Sequence, residues 1–298
     1  MPAERPTFSV VLLCWNHAPY LEQCVRSLAE QTDPDFEIVF LDNQSTDGSF
    51  ELARELFAKY GLTPTLLQNE RPQGISHNLN RLLAASTGEL VCTFSTDDWL
   101  DKTYVETMVT LGAEDTESGW FSCSGWLFFD EEGKSVPVDE TQFVTDRPVA
   151  DVIVDWKNPH FFIGCGYRRS ALDAVGGWDE GQLIEDRDLF LRLSLRFKHH
   201  RTTRRLVHYR RSSMTASANA AFMIKGWELF FSKHAALFGR RLTARRAEVY
   251  RSYAALLTDQ GRLSDAVAAI VKALTLRPFV ALNWRTLAYL GRRLFFRR

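Results

Sequence analysis

A chain of 298 residues with 45% hydrophobic and 24% charged side chains has the makeup of a folded protein, not a disordered one, with room for one large domain and a smaller appendage. Its formal net charge of −1 conceals a split: residues 1–195 hold 14 Lys/Arg against 33 Asp/Glu, a net of −19, whereas residues 196–298 hold 22 against 4, a net of +18. The five cysteines (Cys14, Cys24, Cys92, Cys123, Cys165) form no C-x-x-C pair, which argues against a zinc site or a disulfide framework and fits a reducing cytoplasm.

Met1 to Thr7 lacks the basic start of a secretory signal, and the apolar run Phe8 to Trp15 is too short to span a bilayer. Phe8 to Cys14 is a continuous apolar run of strand length, as a buried parallel strand requires. Leu21, Cys24, Val25 and Leu28 follow at helical spacing. Phe36 to Leu41 reads as a second strand ending at Asp42, and Phe50, Ala53, Phe57 and Tyr60 as a second helix closed by Gly61. Pro64 to Gln68, a helix through Leu79, Leu82 and Leu83, and Leu90 to Phe94 complete a strand–helix alternation. Such an order predicts a parallel sheet with right-handed crossovers, whose ligands bind beyond the carboxyl ends of the strands. Asp42 and the Asp97–Asp98 pair both fall at such ends.

From Trp120 the pattern changes. Trp120 to Asp130 and Lys134 to Val138 flank Glu131-Glu132-Gly133 and predict a hairpin; Phe161 to Arg168 reads as a strand and Asp186 to Leu195 as a helix. Beyond Met214 every segment reads as helix.

Three polar clusters carry chemistry. Asp42-Asn43-Gln44-Ser45-Thr46-Asp47-Gly48 leaves a strand and opens a helix, so acceptors and helix amides point into the crevice; taken alone it reads better as an ordinary βα turn capped by Thr46 or Asp47. Ser95-Thr96-Asp97-Asp98 ends a buried strand with two adjacent carboxylates, which repel each other unless a cation sits between them. Mg²⁺ or Mn²⁺ bound to a diphosphate meets that need. Glu185-Asp186-Arg187-Asp188, after Gly177-Trp178-Asp179-Glu180, sets a carboxylate at a helix start, where it serves either as a general base or as a complement to the helix dipole.

Taken in order, these pieces resemble glycosyltransferase family 2, the nucleotide-sugar-dependent enzymes of the GT-A fold. Ser9 to Asn16 is similar to the family's first strand with its following aromatic–Asn. Asp42 to Gly48 is similar to its D-x-x-S-T-D-G turn, and Gly74, Asn80 and Gly88-Glu89 keep its G…N…G-E spacing. Thr96-Asp97-Asp98 lies at its DxD metal motif, and Gly177-Trp178-Asp179-Glu180 with Glu185-Asp186-x-Asp188-Leu189 matches its acceptor-side block. The resemblance covers about residues 8–215.

The fold it implies is α/β: a Rossmann-like, mostly parallel sheet flanked by helices, an α+β acceptor-side section, and an all-helical C-terminal extension. Residues 1–215 would form the transferase domain, with a nucleotide-sugar half to about residue 100 and an acceptor half beyond it, and residues 216–298 the basic extension. Trp15, Asn16, Asp42, Ser45, Asn80 and Asp97 are expected to bind the nucleotide, most often a uridine diphosphate, and Asp97 and Asp98 to hold Mn²⁺ or Mg²⁺. Trp178 and Asp179 would meet the acceptor, a glycan or lipid-linked glycan. Asp186, with Glu185 beside it, would be the base of an inverting single displacement. Two departures stand out: Ser95 replaces the first Asp of D-x-D-D, and Tyr209-Arg210-Arg211-Ser212 lacks the His of the family's Y-R-x-H segment.

The extension resembles one tetratricopeptide unit through Gly261, Ala266, Ile270, Ala273 and Pro278. Its last stretch sets Trp284, Leu287, Ala288, Leu294 and Phe295 along one side among Arg285, Arg292, Arg293, Arg297 and Arg298, the pattern either of a membrane-surface helix or of one covering the preceding pair. Peripheral contact with the inner face of an anionic membrane is one expectation for a cytoplasmic protein of this kind, and no nucleic-acid partner is expected. A catalytically silent nucleotide-sugar binder or scaffold of the same fold is the alternative. A nicotinamide enzyme is disfavoured because Cys14-Trp15-Asn16-His17 stands where G-x-G-x-x-G would follow the first strand.

Overall fold

Strand β1 (Phe8–Cys14) is shielded from solvent along almost its whole length, which is why its sequence is an unbroken apolar run and not an alternating one. It belongs to a computed structural model that describes residues 7–138, 148–155, 163–211 and 219–295. Helix α1 (Leu21–Ala29) follows, burying Leu21, Cys24, Val25 and Leu28, the stripe its spacing predicts. β2 (Glu37–Asp42), α2 (Ser49–Lys59), β3 (Thr65–Gln68), α3 (Ile75–Ala85) and β4 (Leu90–Ser95) complete the alternation. β1 lies between β2 and β4, parallel to both, and β3 is parallel to β2. Gly88 makes the β1–β4 approach possible: a Cβ there would sit 2.4 Å from Ser9 Oγ and 2.7 Å from its backbone nitrogen.

The next section is β5 (Trp99–Leu100), α4 (Tyr104–Glu114), β6 (Ser118–Phe129), β7 (Lys134–Pro137), α5 (Val149–Val154), β8 (Ile163–Arg168), α6 (Arg169–Val175), α7 (Glu185–Ser194) and β9 (Lys198–Arg211). The hairpin is present as antiparallel β6 and β7. Among the described residues the strand order is β3-β2-β1-β4-β8-β6-β9-β5, with β7 beside β6. The first four strands, β1 to β4, are parallel as expected. Beyond them the sheet is mixed: β8 runs antiparallel to β4 and β6, β9 parallel to β6, and β5 antiparallel to β9. β9 and β5 were not foreseen, because Lys198 to Arg205 is largely charged and a two-residue strand has no periodicity.

α8 (Ala220–Lys233), α9 (Ala235–Phe238), α10 (Leu242–Asp259), α11 (Leu263–Leu276) and α12 (Ala281–Phe295) follow. The described residues form two compact units. One holds 7–138, 148–153, 163–180 and 185–211; the other holds 219–295 with 154–155 and 181–184. The boundary expected at 215/216 lies outside the described residues. In the second unit Ala254, Leu257, Ala266, Ala269, Ile270, Ala273 and Leu290 share a core whose small side chains let α10, α11 and α12 pack closely. In α12 Asn283, Thr286 and Leu290 are buried and Leu287 is half-buried, whereas Trp284 and Ala288 are exposed. The side chains of Leu294 and Phe295 lie outside the described set. No helix among the described residues is long and apolar enough to cross a membrane.

Candidate active site

Strand register brings the first cluster together. Cys14 pairs with Asp42 and Asp42 with Gln68, so the carboxyl ends of β1, β2 and β3 finish level. Two loops leave this edge, each through a left-handed residue, Asn16 (φ 56°) and Gln44 (φ 58°). They are laced together: Asn16 N–H donates to Ser45 Oγ (2.8 Å), Thr46 N–H to Asn16 Oδ1 (2.8 Å), His17 N–H to Ser49 Oγ (3.0 Å) and Ala18 N–H to Asp47 Oδ2 (3.0 Å). Asn16 and Ser45 therefore join the two loops beside Asp42, which is fully buried. Asp42 Oδ2 accepts from Ser45 N–H (2.9 Å) and Gln68 Nε2 (3.2 Å); Oδ1 is buried with no partner among the described residues. Trp15, on the same loop as Asn16, leaves 55% of its surface open.

At the end of β4, Thr96 Oγ1 meets His17 Nδ1 (2.9 Å), and burial holds that imidazole below its usual pKa against the pull of Asp97 and Asp47. Asp98 is buried, and its Oδ1 accepts from Arg210 N–H (2.7 Å). Burial, then Asp97, pushes the Asp98 carboxyl well above the carboxylate range, while Arg210 pulls the other way. Asp97 Oδ1 is buried and has no partner among the described residues.

Arg210 is the residue sequence reasoning passed over. Its buried guanidinium donates from Nε to Asp97 O (2.8 Å), from one terminal nitrogen to Gln23 Oε1 (2.7 Å) and from the other to Asp130. It lies over the Tyr20, Trp99 and Phe128 rings at 4.5, 5.1 and 5.2 Å. Its place beside Tyr209 in the segment lacking the expected His was the available signal; nothing local marked Gln68 or Gln23.

The third cluster opens α7. Asp186 is exposed, with Oδ1 accepting Arg187 N–H (2.7 Å). Glu185 is half-buried, and burial followed by repulsion from Asp186 pushes its carboxyl up to about 8. Asp188 is fully buried and bound to Arg192 Nε (2.6 Å), which places it in the helix's own packing. The Tyr209 phenol is pushed up first by burial, then by Asp98, with Asp97 and Asp186 adding to the shift and Arg211 opposing it.

Asn80 sits differently from a ligand contact. Its amide donates to Trp178 O and accepts from Trp178 N–H, both at 2.8 Å, clamping the Gly177–Trp178 backbone to α3. Gly177 (φ +66°) has room for no side chain there, since a Cβ would stand 2.6 Å from Asn80 Oδ1. The Trp178 ring is buried edge-on to Tyr167 (5.9 Å) and presents no open face; Asp179 is half-buried. Among the described residues no group of three or more His, Cys, Asp or Glu side chains could hold a metal ion. Asp97 and Asp98 stand as a pair.

The sequence profile of glycosyl transferase family 2 matches residues 9–176. A Bacillus subtilis (strain 168) protein named as a glycosyltransferase, EpsH, is 28% identical over 174 residues, spanning 57% of this chain and 49% of that protein; the chain thus spans about half the length of this curated relative. Among solved structures, the mannosyltransferase PcManGT of Pyrobaculum calidifontis, in complex with GDP-Man and Mn²⁺, superposes with a TM-score of 0.62 at 19% identity, over 100% of this chain and 89% of that one. Residues 1–349 of S. aureus TarS with UDP-GlcNAc give 0.58 at 15% identity, over 91% and 89%. Likeness at such identities establishes a common fold.

Proposed function

The chain belongs to glycosyl transferase family 2, and we propose that it moves a sugar from a UDP-sugar to a hydroxyl of a glycan or lipid-linked glycan, inverting the anomeric centre. The observation that carries the donor reading is the buried oxygen of Asp42 that has no partner among the described residues. A buried carboxylate with one oxygen doubly occupied and the other without a partner is an acceptor waiting for a donor from outside the chain. Uracil offers one such N–H, between two carbonyls. Guanine would offer two adjacent donors and needs both oxygens of a carboxylate. Trp15 supplies an exposed ring against which a base can stack.

Asp97 and Asp98 fit a hard divalent ion. Both are oxygen donors, Asp97 Oδ1 has no partner among the described residues, and the Arg210 guanidinium is directed at Asp97 O, Gln23 and Asp130 instead of at the two carboxylates. Mg²⁺ or Mn²⁺ held there would offset the charge that develops on the leaving diphosphate. Arg210 fixes the carboxylate pair from beneath by bonding the main chain of one Asp and, through its own N–H, the side chain of the other. Glu185, with its pKa raised to about 8, keeps its proton near neutrality and leaves Asp186 to take the proton of the attacking acceptor hydroxyl.

Calorimetry with UDP, GDP and CDP, each with and without Mn²⁺, followed by a transfer assay over a panel of nucleotide sugars, tests the reading. UDP should bind most tightly, and only with metal. Tighter binding of GDP would overturn the donor assignment.

A further inference from the structure

The helical hairpin of α11 and α12 carries a surface that its own unit does not use. Phe279, in the turn between the two helices, is 99% exposed, and Val271, Leu282 and Trp284 stand about half open at 51%, 45% and 53%. The Trp284 indole is not free to serve as a polar contact, because its Nε1–H already donates to Pro278 O at 2.6 Å. That bond pins the ring beside the turn, so what Trp284 turns outward is hydrocarbon.

Charge around this surface has one sign. From Ala266 to Arg298 the chain has seven Lys/Arg and no Asp or Glu. The four acids of residues 196–298 are each engaged within the second unit: Glu228 with Arg246 and Glu248 with Arg245 (both 2.6 Å), Asp265 with Arg262 (2.6 Å), and Asp259 with the Tyr289 hydroxyl and, at 3.9 Å, Arg293. Arg277 and Arg285, both exposed, flank the apolar tip.

We infer that the Pro278–Phe279 turn with Leu282 and Trp284 inserts into the headgroup–acyl boundary of an anionic lipid bilayer, with Arg277 and Arg285 on the headgroups. An aromatic tip framed by guanidinium groups matches a surface with hydrocarbon beneath a layer of negative charge. A second copy of this chain would set cations against cations, and a nucleic acid would leave Val271 and Leu282 without an apolar partner. The use of such docking rests on the lipid-linked acceptor proposed above. Its test involves neither donor nor acceptor, so either reading can fail alone.

Flotation of the full chain with phosphatidylcholine vesicles, and with the same vesicles containing phosphatidylglycerol, decides the matter. The protein should float with the anionic vesicles, much less with the neutral ones, and less as salt rises. At about 1 kcal/mol per basic residue near the surface, R277Q/R285Q should lower partitioning about thirty-fold. F279S should lower it about ten-fold or more, from the apolar area left in water. Both variants should keep the wild-type melting temperature. Equal flotation with neutral and anionic vesicles, or variants that float like wild type, would overturn the inference. So would a dimer in light scattering that F279S disperses while the vesicles bind nothing.

Discussion

Replacing Asp42 with Asn separates what this carboxylate does for the fold from what it does for a base. Asn can keep the fold: its carbonyl oxygen takes the place of Oδ2, still accepting from Ser45 N–H and Gln68 Nε2. The opposite orientation would turn its NH₂ against two donors, so the structure selects the first. The second position then becomes a donor where an acceptor stood, facing the uracil N–H. A charge-assisted hydrogen bond to a buried carboxylate is worth about 1.5–3 kcal/mol, so the UDP dissociation constant should rise about ten- to a hundred-fold. The melting temperature should hold or rise slightly, since a fully buried charge is removed. CDP, whose ring nitrogen is an acceptor at that position, should lose less than UDP and could gain. Calorimetry on wild type and D42N with UDP and CDP measures both terms. Unchanged UDP affinity in a variant that melts like wild type would refute the reasoning, because Asp42 would then be a purely structural acid.

Asp98→Asn should abolish transfer while leaving the melting temperature near wild type, and UDP binding by wild type should require Mg²⁺ or Mn²⁺; equal binding in excess chelator would dismiss the metal. Asp186→Asn should lower kcat about 10²–10⁴-fold with little change in UDP affinity, and Glu185→Gln should be milder; the reverse order would move the base to Glu185. The raised Glu185 pKa also gives a stability signature. Its value goes from the ordinary 4.5 to about 8 on folding, so between these the native state holds more protons than the unfolded one, and stability falls as pH rises through that window. The penalty is absent below about 4.5 and complete above about 8, and Glu185→Gln should flatten this part of the profile of urea midpoint against pH.

The first four strands were legible because their chemistry is local. Phe8 to Cys14, Glu37 to Asp42 and Leu90 to Ser95 are strands buried by their neighbours, and such strands must be apolar runs whatever the rest of the chain does. The helices between them keep one apolar stripe each. β9 was illegible for the opposite reason: it is held by register with β6 over a long ladder, and Lys198, Arg204 and Arg205 lie exposed along it. Pairing that comes from a strand some eighty residues earlier leaves no period in the sequence. Arg210 was hidden with it, since a basic residue in a run of basic residues gives no sign that it is the one buried.

Within the site, hydrogen-bond accounting sorts residues that a motif presents alike. Asn16 Oδ1, Ser45 Oγ and both ends of the Asn80 amide are bonded by the chain itself, so a substitution there should also loosen a loop or the Asn80–Trp178 clamp. Asp42 and Asp97 each keep a buried oxygen with no partner among the described residues. Leaving such an atom unpaired costs about 1–3 kcal/mol, and these two lie at the carboxyl ends of β2 and β4, the parallel strands on either side of β1. A nucleoside diphosphate offers a base N–H to the first, and its metal-bound diphosphate offers a cation to the second. On the function proposed above, one ligand of that shape would satisfy both.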